Sequence, residues 1–452
     1  MLKKTLVAYT LIISLITACA NAKPSPKEEP INTYELLNLF GEIMERTKSS
    51  YVEEVNDKQL VEAAINGMLT SLDPHSSYLT EEDFRYMNEQ TKGKFGGLGI
   101  EVTMENGVVK VVSPIDDTPA SKAGIKAGDY ITDIDGETVI GLTLNEAVSK
   151  LRGKVGTRVK ITIRRINEKP FDVTLKRDEI KVQAVKSEIK NDDILYVRIS
   201  AFNEDIDKDI EKAVEKAQKE LKNKLAGIVI DVRNNPGGLL DQAVGVSDLF
   251  LERGEIVSTR SRNEEDTIKY SATAGDIANG LPIVVMINEG SASASEIVAG
   301  ALQDHHRAVI LGEKSFGKGS VQTVLQLRNN AAMRITTARY YTPSGRSIQA
   351  KGIEPDIVVK QAKLEEIKNY GLNLSEADLK GALKNEQENN KDKGKTAKDK
   401  EKAEKAKEQN KDYQLVRALD LVKALYLYNL NDAVAMSKNS ATNSEKDKSK
   451  GK

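Results

Sequence analysis

Three segments of the chain carry residue types at spacings that can do chemistry. The first is LPIVVMINEGSASASEIVAGAL, Leu281 to Leu302, an apolar strand, a sharp Glu289-Gly290 turn and a helix opened by Ser291, Ser293 and Ser295. A hydroxyl at the positive end of a helix is exposed and helped as a nucleophile. The plain alternative is structural, because Ser293-Ala294-Ser295-Glu296 also fits a Ser-x-x-Glu capping box. The second segment is GEKSFGKGSVQ, Gly312 to Gln322, in which Gly317 and Gly319 flank Lys318 and allow close backbone approach. A lysine serves as general base once burial pulls its pKa from ~10.4 toward ~7–8; otherwise it is surface charge. Gln322, four residues on, can accept a hydrogen bond from that amine. The third is GIVIDVRNNPGG, Gly227 to Gly238, an apolar strand that runs into Gly237 and Gly238 before a helix. Backbone N–H groups there can face an oxyanion, although a simple positive-φ turn has the same composition.

Other chemistries have less to work with. The chain has three histidines, and His305 and His306 fall where the helix after the serines must end, a place where histidines commonly just meet the helix dipole. One cysteine, Cys19, excludes an intrachain disulfide and a cysteine-rich zinc site. Basic and acidic residues number 67 and 68, so no global field favours nucleic acid. KGKFGGLGIEV, Lys92 to Val102, is glycine-rich, yet no helix and acidic residue follow it in the dinucleotide-binding pattern. Its N–H groups suit a terminal carboxylate, and the following strand offers an edge to an added peptide strand.

The elements that must position these groups divide the chain. Residues 1–19, with Lys3 and Lys4 before a short apolar run, read as an export signal. Ile16-Thr17-Ala18-Cys19 resembles a lipobox in which Cys19 is lipidated, while Ala20-Asn21-Ala22 offers an ordinary cleavage site. Residues 20–30 read as a tether, and 31–91 as a segment of two or three helices closed by a Ser71–His75 turn. Short β-branched runs broken by glycine mark a β-rich domain with two helices over 92–178. Strands alternate with helices over 179–360, which argues for an α/β layer with parallel pairing. Residues 361–412 form a charged low-complexity arm, 413–436 an amphipathic helix set apart from the catalytic part, and 437–452 a disordered tail.

Taken together the segments resemble the bacterial and chloroplast carboxyl-terminal processing proteases, or tail-specific proteases. GMLTSLDPHSSYL, FGGLGIEV, TPASKAGIKAGDYITDIDG, LRGKVGT, VRNNPGGLL, GSASASEIVAGAL and FGKGSVQ occur in family order. The resemblance implies an α/β fold: a crotonase-like ββα protease core with an inserted β-rich PDZ domain and flanking helical segments. It implies Ser293 as nucleophile, Lys318 as base and Gln322 as its support, with Asp304 a third active-site residue in some members. Ala294, Gly237 and Gly238 would supply the oxyanion hole. The PDZ loop Phe95, Gly96, Gly97, Leu98, Gly99 and Ile100 would take a substrate's C-terminus, and Arg152 would couple the PDZ domain to catalysis. The resemblance requires no metal and no cofactor. Protein C-terminal tails are the implied partners, the membrane enters only through the signal or lipid anchor, and a homo-oligomer is compatible with the sequence.

Overall fold

A computed structural model describes residues 32–115, 117–362, 382–383 and 412–430. The expected export signal, Cys19, the tether, most of the charged arm and the tail at 437–452 lie outside the described residues. Among the described residues no helix is long and apolar enough to cross a membrane.

The chain divides at Pro74 into two compact units. The first contains helices α1 (Thr33–Ser50) and α2 (Asp57–Thr70). Asn32 and Asn56 cap them, their side-chain oxygens accepting from Tyr34 and Lys58 N–H at 3.0 and 2.9 Å.

The second unit opens with β1 (Ser77–Leu79) and α3 (Glu81–Lys92). Thr80 and Asp83 form a reciprocal capping box at the start of α3. Then come β2 (Lys94–Gly97), β3 (Ile100–Glu105), β4 (Val108–Pro114), α4 (Pro119–Lys122), β5 (Tyr130–Ile134), β6 (Glu137–Thr138), α5 (Leu144–Leu151), β7 (Arg158–Arg164) and β8 (Phe171–Lys176). Strands β3-β4-β5-β7-β8 make one antiparallel sheet, with β6 on β5. Val109, Val111, Ile131, Ile161 and Ile163 bury the alternate positions of its strands against Ala147 and Leu151 of α5. The expected boundary at 178 falls inside a strand: β9 (Asp178–Lys181) pairs antiparallel with β2, so the β-rich part closes three residues later.

The α/β layer follows with β10 (Val185–Lys190), β11 (Ile194–Ile199), α6 (Ile206–Leu221), β12 (Gly227–Asp231), α7 (Leu240–Asp248), β13 (Glu255–Arg260), β14 (Ile268–Ser271), β15 (Ile283–Ile287), α8 (Ala294–Asp304), β16 (Val309–Gly312), β17 (Ser320–Gln326), β18 (Ala332–Tyr341) and β19 (Ile357–Val358). The central sheet runs β10-β11-β12-β15-β16-β19, parallel from β11 onward, as the alternation predicted. A second sheet runs β1-β18-β13-β14, with β17 also paired to β18.

Strand periodicity assigns the two faces of the central sheet. Ile228, Ile230, Ile283, Val285 and Ile287 point to the core shared with α6, α7 and α8. Val229, Val284, Met286, Ile194 and Leu311 point the other way, onto Leu415, Ala418, Leu419 and Val422. Those four residues, spaced 3, 1 and 3 apart, form one stripe of helix α9, residues 413–430. In sequence this helix stands apart from the α/β layer, but in the fold it packs on it. A parallel sheet buried on both faces needs a second cover, and α9 supplies it; each large apolar side chain so buried is worth about 1.5–3 kcal/mol.

Candidate active site

Parallel strands β12 and β15 lie side by side, and the turns at their C-terminal ends meet above the sheet. After β12, Asn235 is fully buried; its amide donates to Ile199 O at 3.0 Å and its side-chain oxygen accepts from Gly237 N–H at 2.9 Å. After β15, Ser291 and Ser295 tie the second turn to the first. Ser291 Oγ donates to Val232 O at 2.8 Å and Ser295 Oγ to Asn235 O at 3.0 Å. Two of the three serine hydroxyls are therefore committed to loop carbonyls, and the middle one, Ser293, is the member of the run that remains for other work.

Ser293 sits at φ 55°, ψ −113°, immediately before α8. A non-glycine residue in such a conformation costs on the order of 1–3 kcal/mol and persists where its surroundings over-determine it. Glu296 provides the constraint. Its carboxylate accepts from Ser293 N–H at 2.8 Å, which is the glutamate half of the expected capping box. It also accepts from Ser315 Oγ at 2.5 Å, Gly317 N–H at 2.7 Å and Lys318 N–H at 2.9 Å. Burial raises the Glu296 carboxyl above its ordinary value, and these hydrogen bonds oppose the rise. The capping and catalytic readings of the serine run are thus not exclusive, since the cap residue is also the anchor of the lysine loop.

Gly237 approaches the nucleophile candidate closely. At φ 101°, a Cβ on it would stand 2.8 Å from Ser293 Cβ and 3.0 Å from Ala294 N. Gly238, at φ 147°, bridges to Phe202, and a Cβ there would stand 2.1 Å from Phe202 O. The expected donor set is altered in one respect: Gly237 N–H is already spent on Asn235. Among the described residues, Gly238 N–H and Ala294 N–H have no acceptor in the hydrogen-bond network.

Lys318 is half-buried in the loop before β17. Gln322, on β17, donates from Nε2 to Ser320 Oγ at 2.9 Å and to Thr336 Oγ1 at 3.3 Å. Asp304 lies at the last residue of α8, roughly 16 Å of helix rise from Ser293. There it accepts from Ser344 N–H at 2.9 Å and pairs with Arg346 at 2.5 Å. Burial pushes Asp304 up, but hydrogen bonds from Thr342 and Ser344 and the Arg346 charge outweigh it and hold the carboxyl below its ordinary value. Asp304 therefore anchors the 342–346 turn and is not brought to the serine. His305 stands at the same far end, its Nε2 donating to Glu255 O at 2.7 Å.

In the β-rich part, Phe95, Gly96 and Gly97 belong to β2, and Leu98 and Gly99 form the turn into β3 with Ile100. Leu98 and Gly99 carbonyls are taken by Ala120 and Ile115 N–H, which fixes the turn. Arg152, just past α5, lays its guanidinium over the Phe95 ring at 4.0 Å and the Tyr86 ring at 5.5 Å. Its NH1 nitrogen is buried without a hydrogen-bond partner, beside a cavity of about 410 Å³ lined by Tyr86, Glu89, Val148 and Arg152.

Several residues at the site carry no local signal of their role. Glu296 fits a capping box by spacing, while Asn235, Tyr86 and Arg233 have no role in the motif spacing alone. Arg233 follows β12 and pairs with Asp231 at 2.7 Å and with Asp412 at 2.6 Å, just before α9. Asn235 and Arg233 stand inside VRNNPGG, so the motif itself was the available signal; Tyr86 had none in local spacing.

Comparison with known proteins bears on this arrangement. Residues 193–359 match the model of peptidase family S41, 96–182 that of a PDZ domain, and 16–83 that of the activating protease CtpB N-terminal domain. The chain is 52% identical over 388 residues to a carboxy-terminal-processing protease of Bartonella bacilliformis, covering 85% of this chain and 89% of that one. It is 36% identical over 365 residues to a probable CtpA-like serine protease of Staphylococcus aureus strain COL, covering 80% and 71%. Among solved structures, a photosystem II D1 C-terminal processing protease aligns with 31% identity over 70% of this chain and 85% of that one, with a TM-score of 0.43. The S41 peptidase core with its PDZ domain, expected from the motifs, is thus present, and the chain belongs to peptidase family S41, among the carboxy-terminal-processing serine proteases.

Proposed function

We propose that this protease recognises protein C-terminal tails through its PDZ domain and cleaves peptide bonds with a Ser293/Lys318 dyad through an acyl-enzyme. The observation that carries the reading is the shared carboxylate of Glu296, which ties the backbone of Ser293 to that of Lys318. The turn at Leu98-Gly99-Ile100 receives the tail's terminal carboxylate, and the adjoining strand edge aligns the chain. Neutral Lys318 takes the Ser293 proton as Oγ attacks the peptide carbonyl. The same amine then protonates the leaving nitrogen and activates the water that hydrolyses the ester. Gln322, oriented by Ser320 and Thr336, supports the amine. Gly238 and Ala294 N–H groups stabilise the oxyanion, with Gly237 allowing the close approach; each such donor is worth ~10²–10³ in rate. Arg152, stacked on Phe95 of the tail-binding segment, reports occupancy of the PDZ domain to the catalytic layer.

The enzyme acts on the outer side of the cytoplasmic membrane, delivered by the segment that ends at Cys19 and anchored by lipid on that residue. Mass measurement of the mature N-terminus decides between the lipidated cysteine and cleavage near Ala22. For the chemistry, purified Ser293→Ala and Lys318→Ala are each expected to lose cleavage of a C-terminally tagged substrate while still binding the tail. Persistent cleavage by either variant sinks the dyad.

A further inference from the structure

The segment 348–353, between β18 and β19, has no part in the reading above. Ile348 and Ile353 are each 1% exposed and fix its two ends in the core shared with α6, α7 and α8. Between them the main chain lies against the lysine loop. A Cβ on Gly319 would stand 2.3 Å from Gln349 N, and one on Gly317 would stand 3.1 Å from Gly352 N. Glycines flank Lys318 because another backbone passes there. Ser315 N–H donates to Ile353 O at 3.1 Å, Ile353 N–H to Ser315 Oγ at 2.7 Å and Ala350 N–H to Gly317 O at 2.8 Å, so loop and segment are zipped together.

Every main-chain N–H from Ser315 to Gly319 has an acceptor. In chain order these are Ile353 O, Ser291 O, the two Glu296 carboxylate oxygens and, for Gly319, the side-chain Oε1 of Gln349 at 3.1 Å. A main-chain N–H only donates, so the oxygen end of the Gln349 carboxamide is the end that faces it. The two peptide planes that flank Lys318 Cα are therefore each held by a side chain. Glu296 holds the plane before it and Gln349 the plane after it. Rotation of these planes is what sets φ and ψ, and with them the direction in which the side chain leaves the backbone.

We infer that Gln349 is a positioning residue that aims the Lys318 amine at Ser293 by holding the peptide plane after Lys318. The inference rests on the Ser293/Lys318 reading. Gln349 is exposed, so on loss of its side-chain oxygen water satisfies the Gly319 N–H and the protein stays folded. Water does not fix the plane, however, and misplacing a reacting group by about 1 Å costs up to ~10² in rate. Gln349 itself gives up no proton and forms no bond during the reaction.

Gln349→Met keeps the length of the side chain and removes the acceptor, whereas Gln349→Glu keeps an acceptor oxygen and adds a negative charge. The elements packed on the loop contribute Glu296 from α8, Glu289 from the turn after β15, Arg339 and Tyr340 from β18, Lys351 from the segment itself and the Lys314–Glu354 pair. Among these the added charge of Gln349→Glu favours the protonated amine and moves the acid limb of kcat/KM to higher pH. Gln349→Met is expected to lower kcat about 10- to 100-fold, with KM and the thermal unfolding midpoint at wild-type values. Gln349→Glu should regain a plateau kcat within about threefold of wild type, reached at higher pH. Wild-type kcat in Gln349→Met overturns the inference, and so does an equal loss in both variants across the pH range. Lys318→Ala, assayed beside them, separates the two levels. An inactive Lys318→Ala beside an unimpaired Gln349→Met defeats only the role of Gln349, whereas an active Lys318→Ala defeats the dyad and this inference with it.

Discussion

The backbone N–H groups of Ser293 and Lys318 donate to one and the same oxygen, Glu296 Oε2, at 2.8 and 2.9 Å. The two residues are 25 apart in sequence and lie on different turns, yet a single buried carboxylate sets their spacing. The other oxygen of that carboxylate holds Ser315 and Gly317, so the whole lysine loop hangs on the first turn of α8.

Replacing this carboxylate should therefore disturb both stability and catalysis. Glu296→Gln keeps the volume but turns an NH₂ group toward donors that need an acceptor, leaving buried N–H groups unpaired at ~1–3 kcal/mol each. The expected outcome is a lower unfolding midpoint together with a kcat reduced by about 10² or more. A Glu296→Gln protein with wild-type midpoint and kcat would show that the staple is dispensable.

Alanine at Gly237 tests the oxyanion turn. The added methyl meets Ala292 O and Ser293 Cβ at 2.8 Å, and the φ of 101° disfavours any side chain. Gly237→Ala should fold with reduced stability and lose roughly 10²–10³ in kcat, read by steady-state kinetics on a tagged peptide. Unchanged kcat would place the reacting carbonyl elsewhere.

Asp304 and the histidines serve as contrasting controls. Asp304→Asn should weaken the hold on Ser344 and Arg346 and lower the unfolding midpoint while kcat stays within about threefold. The double variant His305→Gln, His306→Gln should likewise keep peptidase activity. Loss of activity in a folded double variant would make a histidine, and not Lys318, the base.

Helix α9 should be needed for folding of the catalytic layer. Ending the chain at Lys360 uncovers Val229, Val284, Met286 and Leu311 and strips Arg233 of Asp412 and Gln414. The truncated protein is expected to unfold at a markedly lower temperature or to aggregate, measured by calorimetry and light scattering. An unchanged midpoint would mean that α9 is an ornament.

The docking of α9 should also respond to acid. Burial pushes Asp412 up, but the Arg233 guanidinium outweighs it and holds the carboxyl below its ordinary value. A depressed carboxyl stabilises the folded state above the ordinary carboxylate range, and that stabilisation disappears as pH falls through the depressed value. Hydrogen exchange over 413–430 should thus accelerate below about pH 4 in the wild type. Asp412→Asn should exchange faster at neutral pH and lose that acid dependence; identical profiles would dismiss the Arg233–Asp412 clasp.

Much of this enzyme was written locally. The strand-turn-helix texture around Gly227–Gly238 and Leu281–Leu302, the glycines flanking Lys318 and the β-rich block before them are properties of short stretches, where apolar period and turn chemistry act within a few residues. Those stretches were enough to determine the α/β layer and the β-rich domain, and the resemblance of their motifs implied the PDZ domain and the family. Tertiary structure decided what depends on residues distant in the chain. Glu296 became the common anchor because β15 and β16 are neighbours in the sheet, which brings the loops after them within reach of one carboxylate. Gly237 N–H was spent because Asn235 is buried beneath it, so among the described residues the N–H groups of that corner left without an acceptor are those of Gly238 and Ala294. Asp304, which the resemblance offers as a third active-site residue, was carried to the far end of α8 by helix rise alone. Helix α9 read as a separate segment because an amphipathic stripe states that it must be covered and not by what; the uncovered face of the central sheet supplied the answer.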